Sequence, residues 1–178
     1  DKRVPFVGLR RAIAKRMQHA VTTAAHFTFV EECDFGRLLA LRDTLRPLAK
    51  DKGVELTLLP FIVKASALAL ARHPIMNSML DDQAAELVYR GEYHVGVATA
   101  TPAGLMVPVV RDADTRSLLS LAREIERLAR KAREGTLSHA ELSGSTFTVT
   151  SLGKRGGLLA TPVPVSYTHL RAHETVLD

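Results

Sequence analysis

Apolar positions recur at helical spacing from the start of the chain. Leu9, Ile13, Met17 and Ala20 form one stripe and predict a helix over Val4 to Val21. Arg10, Arg11, Lys15 and Arg16 crowd its other faces. That arrangement reads first as a solvated face with the apolar residues packed inward, and second as a basic helix for phosphates or an acidic partner. Ala25 to Cys33, with His26-Phe27-Thr28-Phe29-Val30 at its centre, is rich in aromatic and β-branched residues and predicts a strand. Asp34 can cap the helix that follows. In that helix Leu38, Leu41, Leu45 and Leu48 make one apolar stripe, Pro47 is expected to bend or interrupt it late, and Gly53 to stop it. Thr57 to Arg72 is apolar on most faces and predicts a helix in the interior, ended by His73-Pro74.

The period then changes. Ala85–Arg90, His94–Ala100 and Leu105–Val110 predict strands. Thr101-Pro102-Ala103-Gly104 suits a type I turn, so the last two should form a hairpin with a four-residue loop. Pro108 cannot donate to a ladder and calls for an edge or a bulge. Leu118, Leu121, Ile125, Leu128, Ala129 and Ala132 give a long amphipathic helix ending at Gly135. Ser138-x-x-Glu141 matches a capping box. Ser145 to Ser151 predicts a further strand, and Gly153, Gly156 and Gly157 open a loop. No internal repeat is evident. From Ser166 onward SYTHLRAHETVLD has no apolar period, so residues 165–178 read as a foreign-looking tail on a domain spanning 1–164.

The 178 residues fit one domain, and 46% apolar with 24% charged residues is the balance of a soluble globular protein. A net charge of +5 selects no partner class. The single cysteine, Cys33, makes an intrachain disulfide or a multi-cysteine zinc site impossible. Lying between Glu32 and Asp34, it reads as structural rather than nucleophilic. The chain opens on Asp1-Lys2-Arg3 without a leader-like pattern. The most apolar run, Leu56 to Ala71, contains Lys64 and is too short to span a bilayer. A cytoplasmic protein is expected, or one of the mitochondrial matrix if the source is eukaryotic.

Taken in order, six stretches resemble the catalytic domain of the acyltransferases of 2-oxo acid dehydrogenase complexes. They are VPFVGLRRAIAKRM, AHFTFVEECD, LTLLPFIVKASALAL with HPIMNSML, YHVGVATATPAGLMVPVVRDAD, SLLSLAREIERLARKAREG and LSHAELSGSTFTVTSLG. They run from about Val4 to Pro162. The resemblance implies an α/β (α+β) fold of the chloramphenicol acetyltransferase type, a mixed β-sheet flanked by helices, incomplete here at its C-terminus. It implies homotrimers building a larger core, with decarboxylase and dihydrolipoamide dehydrogenase components as partners. It implies transfer of an acyl group, acetyl first, between a dihydrolipoyl arm on a separate lipoyl domain and coenzyme A, without a metal.

Thioester exchange needs a base to make a thiol nucleophilic and a donor aimed at the oxyanion of the tetrahedral intermediate. In the family a histidine in an H-R-x-x-D-G motif is the base, and a serine or threonine ahead of S-L-G in a T-F-T-x-[ST] strand motif is the donor. Thr146-Phe147-Thr148-Val149-Thr150-Ser151-Leu152-Gly153 matches the second motif, with Thr150 in the hydroxyl position. Taken without the resemblance, Thr150 is a strand residue of good β-propensity. Ser151 should face the opposite way. The first motif does not occur; HLRAHE, with His169 and His173, lacks its aspartate and glycine, and the fragment is expected to be inactive alone. His19, His26, His73, His94 and His139 show no triad or metal-ligand spacing and read as structural. Arg42 takes a position in the family pattern suited to a coenzyme A phosphate, or is a surface arginine.

Two other readings stand beside this one. A free-standing coenzyme A-dependent acetyltransferase of a small hydroxyl compound would share the motifs. A non-catalytic trimer or core-assembly module would keep the contacts and lose the chemistry. Nucleic-acid binding lacks any aromatic-and-basic platform or reading-helix motif.

Overall fold

The computed structural model describes residues 1–23, 26–81 and 83–151. In chain order the elements are α1 (Gly8–Thr23), α2 (Gly36–Lys50), α3 (Leu59–Arg72), a 3-10 turn at Pro74–Asn77, β1 (Ser78–Asp81), β2 (Glu86–Tyr89), β3 (Val95–Val97), β4 (Thr99–Thr101), β5 (Gly104–Met106), β6 (Val109–Val110), α4 (Leu118–Glu134), a 3-10 turn at His139–Glu141 and β7 (Phe147–Val149).

The centre is a mixed three-stranded sheet of order β6-β3-β7. β3 runs antiparallel to β6, with Val95 opposite Val110, and parallel to β7, with Val95 opposite Phe147 and Val97 opposite Val149. Parallel neighbours need a long crossover, and α4 lies within it. One face of this sheet packs on α3 and α4: Val63, Leu70, Leu121 and Leu128 join Val95 and Val149 in a single buried cluster. A second, smaller cluster ties α2 to the start of α3 and α4 through Ala49, Val54, Leu56, Phe61 and Ala122.

α4 follows its sequence pattern closely. Ser117 caps it by accepting from Ser120 N, and Gly135 ends it in the left-handed conformation. α3 ends at His73 ahead of Pro74. It is less enclosed than its sequence suggests: five residues are buried, but Leu68 is exposed. Asp34 Oδ1 accepts from Gly36 N at 2.7 Å at the head of α2.

Several expectations are corrected. Residues 26–35 form no strand, and Phe27, Phe29 and Val30 lie exposed. No strand among the described residues borders them, and strand propensity without a neighbouring ladder leaves backbone groups to water. In the α1 stripe Ala20 is buried, but Ile13 and Met17 stay exposed. In α2 the helix continues past Pro47 to Lys50, and Leu41 and Leu48 of the stripe face solvent. Cys33 is exposed.

The two strands expected over 94–110 are each split. β4 and β5 pair with Thr101 opposite Gly104, which leaves Pro102 and Ala103 as a two-residue loop. Pro108 separates β5 from β6 and is fully buried at the sheet edge, where its carbonyl accepts from Val97 N at 2.9 Å. β1, in HPIMNSML, pairs with β2 and carries no period long enough to show in the sequence. The glycine loop after Ser151 and the tail lie outside the described residues.

Candidate active site

β7 brings Thr150 to the sheet. Phe147 and Val149 point into the cluster with α3 and α4. Alternation puts Thr148 on the face opposite α3 and α4, over Gly96, and Thr150 follows Thr148 on that side. Pairing holds to the end of the strand, because Ala98 N donates to Val149 O at 3.0 Å. Thr150 is half-buried, and among the described residues its hydroxyl has no hydrogen-bond partner. Thr148 and Ser151 on either side are both engaged. An uncommitted hydroxyl at the mouth of a parallel strand can donate one hydrogen bond to a developing oxyanion.

The segment leading into β7 is held by charge. Glu141 completes the capping box with Ser138, and its carboxylate also takes Lys131 Nζ at 2.7 Å and Arg127 Nη1 at 2.6 Å. The Lys131 hydrogen bond first, then the Ser138 amide and Arg127, hold its carboxyl far below the usual carboxylate range. Arg127 turns its other nitrogens to Glu124, lowering that carboxyl as well. Thr146 N then donates to His94 O at 2.7 Å and starts the ladder.

The other sequence candidates do not converge on Thr150. Arg42 donates from Nε at 3.0 Å and from Nη2 at 2.8 Å to Asp43 Oδ1, its neighbour on α2. A phosphate there would compete with that carboxylate. His94 is buried, and its Nδ1 accepts from Asp112 N at 3.1 Å with Asp112 Oδ1 at 3.6 Å. That contact carries no signal in the spacing of the chain; it ties β3 to the segment after β6 and is structural. His169 and His173 lie outside the described residues. Among those residues no group of three His, Cys, Asp or Glu converges on a metal position. No helix among them is long and apolar enough to cross a membrane. An apolar groove of about 280 Å³ lies along α3 at Ala65, Ala69 and His73 and reaches Phe147, on the other face of β7 from Thr150.

Sequence reasoning passed over two residues that seat β7. Gly96 lets Thr148 approach, and Arg111 donates to Ala140 O at 3.0 Å and Ser143 O at 3.1 Å. Arg111 stands inside the resembling stretch VVRDAD, but contacts 29 and 32 residues away leave no local trace.

The family model for 2-oxoacid dehydrogenases acyltransferase (catalytic domain) matches residues 1–165. The chain belongs to that family. It is 50% identical over 163 residues to the lipoamide acyltransferase component of the branched-chain alpha-keto acid dehydrogenase complex of Pseudomonas putida, covering 92% of this chain and 38% of that protein. The acyltransferase chain thus spans well under half the length of this curated relative. Its fold matches the dihydrolipoamide acetyltransferase of Azotobacter vinelandii with a TM-score of 0.89 at 36% identity, covering 95% of this chain and 69% of that one. That structure addresses the role of a serine, a histidine and an asparagine in the catalytic mechanism. The cubic core of a pyruvate dehydrogenase multienzyme complex matches with the same TM-score, 0.89, at 37% identity and the same coverage of 95% and 69%. The α/β architecture expected from the sequence, a mixed sheet flanked by helices, is the fold of these acyltransferase cores.

Proposed function

We propose that this chain is part of the catalytic domain of an enzyme that moves an acyl group between dihydrolipoyl-lysine and coenzyme A, with Thr150 as the oxyanion donor. The observation that carries the reading is the placement of Thr150, half-buried at the end of β7 on the face opposite α3 and α4, with its hydroxyl uncommitted among the described residues. Family membership over residues 1–165 supports it. In the reaction a base removes the thiol proton of coenzyme A, and the sulfur adds to the thioester carbonyl of the acyl-lipoyl arm. The carbonyl oxygen becomes an oxyanion and accepts from Thr150 Oγ1. Collapse breaks the bond to the lipoyl sulfur, which takes the proton from the base. H-R-x-x-D-G is absent from these 178 residues, so the base is supplied from outside them.

Residues 1–164 belong to this domain and 165–178 are foreign to it; the family match, ending at residue 165, supports the division. Arg42 is a contact for a coenzyme A phosphate once Asp43 is displaced. The domain forms trimers within a larger core and works with a lipoyl domain, a decarboxylase and a dihydrolipoamide dehydrogenase. Its likeness to a cubic core and the exposed apolar residues of α1 and 26–30 support assembly. Acetyl is the first acyl group to test. The Pseudomonas putida relative makes a branched-chain acyl group the second.

The test uses the complete catalytic domain with acetyl- and branched-chain acyl-CoA and dihydrolipoamide. Thr150→Ala is expected to lower kcat by roughly 10²- to 10³-fold, and Thr150→Ser to restore most of it. Full activity of the alanine variant refutes the donor role. Easily measured turnover by the 178-residue chain alone refutes the external base.

A further inference from the structure

We infer that Arg111 is a positioning residue for Thr150, anchoring the segment that sets the register of β7; this rests on the oxyanion role proposed above. Arg111 directly follows β6 and is half-buried. Its Nη2 donates to both Ala140 O and Ser143 O, the carbonyls on either side of the bend that ends at Gly144. Gly144 has φ +83°, a conformation side-chain-bearing residues rarely adopt, and a Cβ there would lie 3.5 Å from Arg111 Nη2. The guanidinium therefore lies against the open side of that glycine. A planar guanidinium holds that one nitrogen in a fixed orientation toward both carbonyls, as a flexible ammonium does not.

Arg111 is itself held. Arg116 Nε donates to Arg111 O at 2.6 Å, and Lys64 Nζ, from the partly buried side of α3, donates to Arg116 O at 2.8 Å. A continuous hydrogen-bonded chain thus links α3 to the bend at 140–144, just ahead of β7. The strand itself is short: its register rests on Val95 opposite Phe147, Gly96 opposite Thr148 and Val97 opposite Val149. Slippage by one residue would turn Thr150 to the core face and bring Ser151 to the site face. An anchor upstream of so short a ladder decides which hydroxyl the site receives.

The experiment combines Arg111→Gln and Arg111→Lys with Thr150→Ala in the complete catalytic domain. Arg111→Gln is expected to lower kcat on the order of 10- to 100-fold, the scale of a misplaced catalytic group, with KM for coenzyme A unchanged. Arg111→Lys should recover part of the loss. In the Thr150→Ala background Arg111→Gln should cost nothing more. An unchanged kcat, or an equal loss in both backgrounds, overturns the inference. Should Thr150→Ala be fully active, the oxyanion role has failed and hydrogen exchange decides the positioning role. In the 178-residue chain the Ala98 amide, bonded to Val149 O, should exchange about tenfold faster in the Arg111 variants. An equally protected Ala98 in a folded Arg111→Lys variant overturns it.

Discussion

Gly96 and Thr148 face each other across the parallel β3–β7 ladder so closely that a Cβ on Gly96 would lie 3.2 Å from Thr148 Oγ1. The same Cβ would meet Val107 Cγ1 at 2.9 Å, a separation real Cβ atoms do not show. The glycine is required by space, and the space is what lets β7 sit beside β3.

Gly96→Ala should therefore destabilise the chain by about 1–3 kcal/mol, as overpacking does. Urea unfolding followed by far-UV circular dichroism measures it. A midpoint equal to the parent's would show that Val107 and Thr148 yield freely.

Glu141 gives a pH dependence with a definite sign. Its folded-state pKa is depressed, so its contribution is complete above the unfolded-state value of about 4.3 and is lost as pH falls through the folded value. Glu141→Gln should be less stable than the parent at pH 7, and the gap should narrow steadily below about pH 4.3. Denaturant titrations across that range test it; a gap independent of pH means the carboxylate is not linked to folding.

Leu128 on α4 is 1% exposed within the cluster that includes Val95 and Val149. Leu128→Ala should cost about 2–5 kcal/mol through lost burial and the cavity left behind. Thermal unfolding of the two chains is the measurement, and a loss under about 1 kcal/mol would mean the helix collapses onto the sheet.

Phe29 is 70% exposed despite lying in the most strand-like stretch of the chain. Phe29→Ser should change the stability of a single chain by no more than about 0.5 kcal/mol. In sedimentation, the same substitution should weaken any self-association that covers this surface. A large drop in monomer stability would place the segment in the core instead.

Legibility followed the range of the interactions. α4 was readable because its stripe and its Gly135 stop are local, although its Ser117 cap emerged only in the structure. The capping box of Ser138 and Glu141 was readable for the same reason. Pro108 called for an edge or a bulge, and it stands beside β6, the edge strand of the central sheet. The strand expected over Ala25–Cys33 failed because propensity describes a residue's fit to a sheet and cannot supply the neighbouring strand. Thr150 was named through its motif, but its facing depends on a register that only β3 defines.

The amino-acid order by itself determined the long helices, where α3 and α4 stop, the family, and the residue that carries the candidate hydroxyl. Periodicity, capping and motif are properties of neighbours along the chain. Only the tertiary structure decided that β7 lies parallel to β3, that Gly96 makes room for Thr148, and that Arg111 holds the bend before the strand. Those contacts join residues 29 to 52 positions apart, and folding brings them together by burying the shared face of α3, α4 and the sheet.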